Sequence, residues 1–315
     1  MRAAPFHGDM ARGPEGGAAI WLRTEDDRQL RLGLWPGPDT PRGTVFILPG
    51  RSEYIEKYGP AATRMQASGY ASLAIDWRGQ GLSDRLLDDP VKGHITDYAE
   101  YQCDLRAVLD YARAHDLPRP WLMLAHSMGG AIGLRHLMGT HDFAACAFSA
   151  PMWGVQVPRA LRGIQRQIAD RVDGRAIGRN YAPGMTADTY VYRAPFTDNM
   201  LTRDPEMWAF MIEHLAKEPG LIIAGATLQW AAASILECAE LAQMPSPDLP
   251  CYTGIGTHER IVLRPPVIER MARWPQGRLD DIDGAEHELM MEIAPVRDRF
   301  YAGCAALFER VTPQV

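Results

Sequence analysis

Short apolar runs alternating with longer segments of helical spacing restrict the possible fold more than any other feature of this chain. Eight runs read as strands, at residues 18–23, 29–35, 44–48, 71–75, 121–125, 143–148, 251–255 and 279–282. Residues 56–67, 98–114, 129–138, 267–274 and 296–308 carry the apolar spacing of helices and fall between or after the later runs. A strand that leads through a helix into another strand forms a βαβ unit, so a mostly parallel, eight-stranded sheet with helices on both faces is expected, an α/β fold. Residues 152–241 break the alternation. They hold Trp153, Trp208 and Trp230 with several tyrosines and methionines, and helical spacing recurs at 161–172, 205–217 and 227–238. This stretch is expected to be a helical cap inserted into a core made of residues 18–151 and 242–315. Residues 1–17, rich in Gly, Ala and Pro, are expected to be a loose arm.

Composition narrows the function classes. The chain has 315 residues, 46% of them apolar and 23% charged, with a formal net charge of -6. An acidic balance supplies no field to hold nucleic acid. The five cysteines (103, 146, 238, 251 and 304) contain no CxxC pair, so neither a zinc site nor a disulfide framework is indicated. No stretch approaches the ~20 apolar residues that span a bilayer, and the first residues lack the apolar segment of a secretory signal. A cytoplasmic protein is expected.

The chemistry concentrates in Trp121-Leu-Met-Leu-Ala-His-Ser-Met-Gly-Gly130. A strand runs into a sharp turn at Ser127, and a helix starts at the glycines. Such a turn lifts a hydroxyl clear of the backbone beside the free N–H groups of a helix start, and the N–H of Met128 can face an oxyanion. The hydroxyl needs a base. His287, on the loop after the strand at 279–282, and Glu259, on the loop after the strand at 251–255, follow Ser127 in the order acid then histidine. His258 is the rival base, and Asp281 and Asp283 are rival acids. The loop after the strand at 44–48 reads Pro49-Gly-Arg-Ser-Glu-Tyr-Ile-Glu-Lys-Tyr58; Gly50 permits close backbone approach, and the N–H of Arg51 is the second candidate donor. His126, Trp153, Glu53 and Tyr54 are the candidate substrate contacts. A serine–carboxylate–imidazole system of this kind needs no metal or organic cofactor.

These residues resemble the monoacylglycerol lipase and lysophospholipase L2 group of α/β-hydrolases. The turn Ala125-His-Ser-Met-Gly-Gly130 looks like the group's nucleophile elbow, with Ala125 in place of the usual glycine. Asp76-Trp-Arg-Gly-Gln-Gly-Leu-Ser83 is similar to its Asp-x-Arg-Gly-x-Gly-x-Ser loop. The 50–58 loop is similar to the lysophospholipase form of the oxyanion loop, and 198–204 and 284–292 match the same style. The resemblance implies the α/β-hydrolase fold, a Ser127–Glu259–His287 triad with glutamate for the commoner aspartate, and oxyanion donors at Arg51 and Met128. It also implies hydrolysis of single-chain lipid esters, a lysophospholipid or monoacylglycerol. A small-ester carboxylesterase, an acyltransferase, a carbon–carbon bond hydrolase and a catalytically silent binding protein remain the alternatives. Arginines 159, 162, 166, 171, 175 and 179 read first as a solvated helix face, and second as a patch for a phosphate headgroup or an anionic membrane surface. Oligomeric state is not legible.

Overall fold

Strands covered on both faces must be apolar on both, and β-strand geometry then sends alternate residues to opposite cores. The computed structural model, which describes residues 2–156, 165–172 and 175–312, has nine such or partly covered strands in one sheet. They are β1 (Arg2–Ala3), β2 (Ala18–Arg23), β3 (Gln29–Trp35), β4 (Thr44–Leu48), β5 (Ala71–Asp76), β6 (Trp121–His126), β7 (Phe143–Ser149), β8 (Cys251–Gly256) and β9 (Gly277–Ile282), in the spatial order β1-β2-β3-β5-β4-β6-β7-β8-β9. β1, β2, β3 and β5 pair antiparallel, and every pairing from β5 to β9 is parallel.

The helices are α1 (Gly8–Ala11), α2 (Gly59–Ala67), α3 (Tyr98–Ala114), α4 (Met128–Leu137), α5 (Gln165–Val172), α6 (Tyr190–Arg193), α7 (Pro205–Lys217), α8 (Leu228–Gln243), α9 (Arg264–Met271) and α10 (Ala294–Val311). Side-chain caps define several starts: Asp97 accepts from the N–H of Ala99 at α3, Asp204 from those of Glu206 and Met207 at α7, and Thr227 from that of Trp230 at α8. Phe46 and Leu48 of β4 face one core with residues of α3, α4 and α8, whereas Val45 and Ile47 face the other with residues of α2 and α10. Between β7 and β8 the described residues add no strand to the sheet. They contribute α5 to α8, and α7 builds a third apolar cluster with Tyr54, Val191 and Met10. Helix α8 runs past the expected cap boundary at 241, because its Trp230, Ala233 and Leu241 pack into the α3–α4 core.

Two expectations need correction. The sheet has nine strands rather than eight, and the extra one comes from the segment expected to be loose. β1 pairs with β2, Ala4 N–H donates to Ala19, and Met10 and Ala11 of α1 are buried. The 2.7 Å contact between His214 Nε2 and the Met10 carbonyl ties this arm to α7. A two-residue strand and a four-residue helix are too short to carry periodicity, so composition alone misled. The expected helix at 161–172 is described as α5 from Gln165 onward; Arg159 and Arg162 lie outside the described residues, as does the side chain of Arg166.

One buried ion network joins β3, β5 and the loop after β4. Arg31, fully buried, donates to Asp76 at 2.7 Å and to both oxygens of Glu56 at 2.8 Å. Asp76 also accepts from the N–H groups of Ile55 and Leu82, each at 2.8 Å. A Cβ on Gly81 would lie 1.9 Å from the Asp76 carboxyl carbon, and φ there is +56°, so this close approach requires glycine. Truncating the cation would strand two buried carboxylates. Arg31→Met should therefore lower unfolding free energy by about 3–5 kcal/mol, read from urea denaturation. Acid sensitivity follows from His214. Burial, only partly offset by the Met10 carbonyl, lowers its pKa from 6.5 to about 4. The unfolded chain therefore binds the proton more readily, and the stability present at neutral pH is lost as pH falls from 6.5 toward 4. Melting temperature should drop across that window, and His214→Gln, which keeps a donor for the Met10 carbonyl but does not titrate, should flatten the drop.

Candidate active site

Ser127 occupies the single position between β6 and α4, with φ 49° and ψ −118°. A non-glycine residue at positive φ costs about 1–3 kcal/mol and persists only where the surroundings over-determine it. Here Ser127 N–H donates to Ser149 O at 3.1 Å, while Ser127 O accepts from Gly130 and Met152, both at 2.8 Å. Glycine makes the approach possible: a Cβ on Gly129 would lie 2.1 Å from the Leu48 carbonyl oxygen, and one on Gly130 2.6 Å from Pro151 Cβ. Ala125, in the place of the usual glycine, is fully buried in the core on the α3–α4 face.

His287 and Glu259 meet as expected. Nδ1 of His287 lies 2.7 Å from Oε2 of Glu259, and Oε1 of Glu259 accepts from the N–H groups of Ile261 (2.6 Å) and Val262 (3.0 Å). Burial pushes the Glu259 pKa up, but His287 and the two amides outweigh it, so the carboxyl is held below its ordinary value. A carboxylate on Nδ1 fixes the ring orientation and leaves Nε2 as the available nitrogen. The rivals lie elsewhere. Asp281 pairs with Arg264 at 2.6 Å, Asp283 accepts from Thr257, and His258 is exposed.

Ser127 and His287 line one cavity of about 280 Å³ with Arg51, Ser52, Glu53, Tyr54 and Lys57. The loop after β4 sits against the serine, since a Cβ on Gly50 would lie 3.1 Å from Ser127 Cβ. In that loop Gly50 N–H donates to Glu53 and Ser52 N–H to Gln80, while the Arg51 N–H between them is bonded to no acceptor among the described residues. Met128 opens α4, so its N–H has no intrahelical acceptor.

Of the expected substrate contacts, Tyr54 and Glu53 line this cavity, and His126 and Trp153 do not. Trp153 donates to Gly130 O at 3.1 Å and stacks on Trp274, on the wall of a separate cavity of about 1010 Å³. His126 is buried behind the serine, with Nδ1 3.0 Å from Ser149 O and Nε2 3.4 Å from Glu288 Oε2; its ring lies 4.7 Å from that of His287. Glu53 reaches the cavity wall, but its oxygens are engaged by Gly50 N–H, the Tyr58 hydroxyl and Lys57. Lys57 also bonds Glu288 at 2.6 Å. Glu53, His126 and Glu288 present ligand atoms within 4.8 Å of one another, close enough to hold a metal ion. The Lys57 ammonium, bonded to both carboxylates, fills the role of the cation there. Burial opposes every charge in this group, yet the Lys57 and His126 pKa values are raised and that of Glu288 lies well below normal, because opposite charges dominate.

Several positioning residues escaped sequence reasoning. Asn199 holds the 199–202 turn by accepting from Leu201 and Thr202 N–H and donating to Phe196 and Thr202 carbonyls. That turn in turn accepts the N–H groups of His287 (Met200 O, 3.2 Å) and Glu288 (Leu201 O, 2.8 Å). Gln80 and Trp77 donate to the carbonyls of Gly50 and Pro49, so the 76–83 loop supports the 50–58 loop. The motif 76–83 and the phrase 198–204 were visible in the sequence, but their hydrogen-bond partners were not.

Comparison with known proteins agrees with this geometry. The family described as serine aminopeptidase, S33, matches residues 39–294. Lysophospholipase L2 of Escherichia coli strain K12 is 32% identical over 263 residues, 79% of this chain and 75% of that protein. Monoacylglycerol lipase of Mycolicibacterium smegmatis is 38% identical over 123 residues, 38% of this chain and 41% of that protein. Among solved structures, a soluble variant of monoglyceride lipase from Saccharomyces cerevisiae has a TM-score of 0.73, covering 98% of this chain and 99% of that chain at 17% identity. A highly thermostable carboxyl esterase from Bacillus coagulans has a TM-score of 0.72 over 95% and 99% at 14% identity. At such identities the structural likeness speaks for the fold alone. The length of the family match and the span aligned with the E. coli relative establish that the chain belongs to the serine aminopeptidase S33 family and is a hydrolase of the α/β-hydrolase fold.

Proposed function

We propose that this chain hydrolyses carboxylic esters of single-chain lipids through an acyl-enzyme on Ser127. The observation that carries the reading is a cavity shared by a serine on a strained strand–helix turn and an imidazole tethered to a buried carboxylate. In the reaction, Nε2 of His287 takes the Ser127 proton as the oxygen attacks the ester carbonyl. The carbonyl oxygen becomes an oxyanion facing the N–H groups of Arg51 and Met128. The tetrahedral adduct collapses, the imidazolium gives its proton to the leaving alcohol, and water repeats the sequence on the acyl-enzyme. Glu259 stays ionised and orients the ring. Residues 18–151 and 242–315 serve as the catalytic core, and residues 152–241 as a cap whose Val191, Met200, Leu201, Met211 and Leu215 supply an apolar wall suited to an acyl chain. The names of the relatives, a lysophospholipase and a monoacylglycerol lipase, support that substrate class.

No helix among the described residues is long and apolar enough to cross a membrane. Arg171, Arg175 and Arg179 are exposed, as is Ile177 at 55%, which supports peripheral contact with an anionic lipid surface.

A panel of p-nitrophenyl esters, monoacylglycerols and lysophospholipids tests the activity. Ser127→Ala should abolish fluorophosphonate labelling and reduce turnover on the order of 10⁴-fold or more, and Glu259→Gln should cost on the order of a thousandfold or more. Retained labelling at Ser127→Ala would refute the assignment. For the surface, vesicles with anionic lipid should co-sediment the protein, and a triple Arg→Glu change at 171, 175 and 179 should release it; equal sedimentation of both proteins would remove the proposal.

A further inference from the structure

Among the described residues, most buried or half-buried cations of the core are neutralised by carboxylates or bonded to several carbonyls, and Arg51 is half-buried. Arg31 is bonded to Asp76 and Glu56, Arg78 to Asp104 and Asp26, and Lys57 to Glu53 and Glu288. Arg85 has no carboxylate but donates to three carbonyls, and Arg270 donates to those of Leu241 and Met244 and to the Ser246 hydroxyl. Arg51 departs from both patterns. Its guanidinium makes one hydrogen bond, to Ala224 O at 2.9 Å, and sits 5.4 Å from the Trp230 ring centroid, with no carboxylate partner among the described residues. A guanidinium offers five donors and stays charged in proteins. Burial lowers the Arg51 pKa, opposed in part by Tyr101 and Tyr98.

Arg51 lines the same cavity as Ser127 and His287, and so does Ala224, whose carbonyl the guanidinium binds. The cavity is asymmetric. Tyr54, Val191, Met211 and Leu215 of its wall belong to the apolar cluster built on α7. Arg51 instead adjoins the strip Ala224–Gly225, whose Gly225 N–H is bonded to Thr186 O at 2.9 Å, and Thr186 and Asp188 line the wall with it. An acyl chain belongs against the first wall and the alcohol portion of the ester against the second. About six bonds separate the backbone nitrogen of an arginine from its guanidinium carbon, and about six separate the ester carbonyl carbon of a single-chain glycerophospholipid from its phosphorus. A residue whose N–H faces the oxyanion can thus carry its own side chain to the phosphate.

We propose that the Arg51 guanidinium is the specificity determinant of this site, recognising the phosphodiester of a single-chain phospholipid and favouring it over a neutral monoacylglycerol. The inference rests on the ester-hydrolase reading above and narrows its substrate.

The test compares kcat/KM for lauroyl lysophosphatidylethanolamine and monolauroylglycerol, which share one acyl chain. Wild type should prefer the phospholipid by about tenfold or more, the range of charge-assisted hydrogen bonds to phosphate. Arg51→Met should collapse that ratio, and Arg51→Lys, a point charge without the fork, should fall between them. A wild-type ratio near one, or a ratio unchanged in Arg51→Met, overturns the proposal. Inhibition needs no variant: glycerol 3-phosphate should compete with p-nitrophenyl laurate for the wild-type enzyme, and absence of competition likewise overturns it. Failure of the wider reading looks different, because turnover of p-nitrophenyl laurate would then persist in Ser127→Ala.

Discussion

The backbone of Ser127 is the constraint around which the site is assembled. A β-carbon-bearing residue at φ 49° is unfavourable on its own, and it survives because β7 and the segment after it clamp the turn from one side while β4 lies against the glycines on the other. The same clamp brings the β4 loop next to the serine, so Ser127 and the candidate oxyanion donors are set by one packing decision. Strain at Ser127 and pre-organisation of its surroundings are two aspects of a single arrangement.

Beneath that turn, two buried charge groups hold the loops that meet there. Arg31, Asp76 and Glu56 lock the start of the 3₁₀ turn at Ile55–Tyr58 onto β3 and β5. Glu53, Lys57, Glu288 and His126 join the β4 loop, the residue after His287 and the residue before Ser127. Each charge has a partner of opposite sign, which makes burial tolerable, and removing any one would leave another uncompensated. These groups act through position: they hold backbone segments in place, whereas the carboxylate of Glu259 acts on the imidazole directly. Arg51 stands outside this neutralised frame: it lines the cavity, and its guanidinium is bonded to the Ala224 carbonyl and sits over Trp230.

Much of the site was legible because it is local. The Ser127 turn, the glycines after it and Gly50 read directly as close-approach geometry, and chain order singled out Glu259 and His287 from their rivals. The structure brings those two together and sends Asp281 and Asp283 to other partners. The misreadings share one cause. His126 adjoins the serine and Trp153 belongs to the aromatic-rich insertion, so position along the chain suggested substrate contact. Their polar atoms are engaged by residues distant in sequence: His126 lies against Ser149 and Glu288, and Trp153 donates to Gly130. The N-terminal arm failed for a related reason, since its order comes from pairing with β2 and from α7, not from any pattern of its own.

By itself the sequence determined the alternation of strands and helices, the turn that presents Ser127, and the inserted helical stretch between β7 and β8, because hydrophobic period, glycine placement and capping residues act over a few neighbouring positions. Only tertiary structure decided which charges neutralise one another, which aromatic walls reach the cavity, and that Arg51 bonds a carbonyl rather than a carboxylate. Electrostatic pairing and burial depend on separation in space, and in a sheet whose fourth strand lies between the fifth and sixth, separation in space cannot be read from separation along the chain.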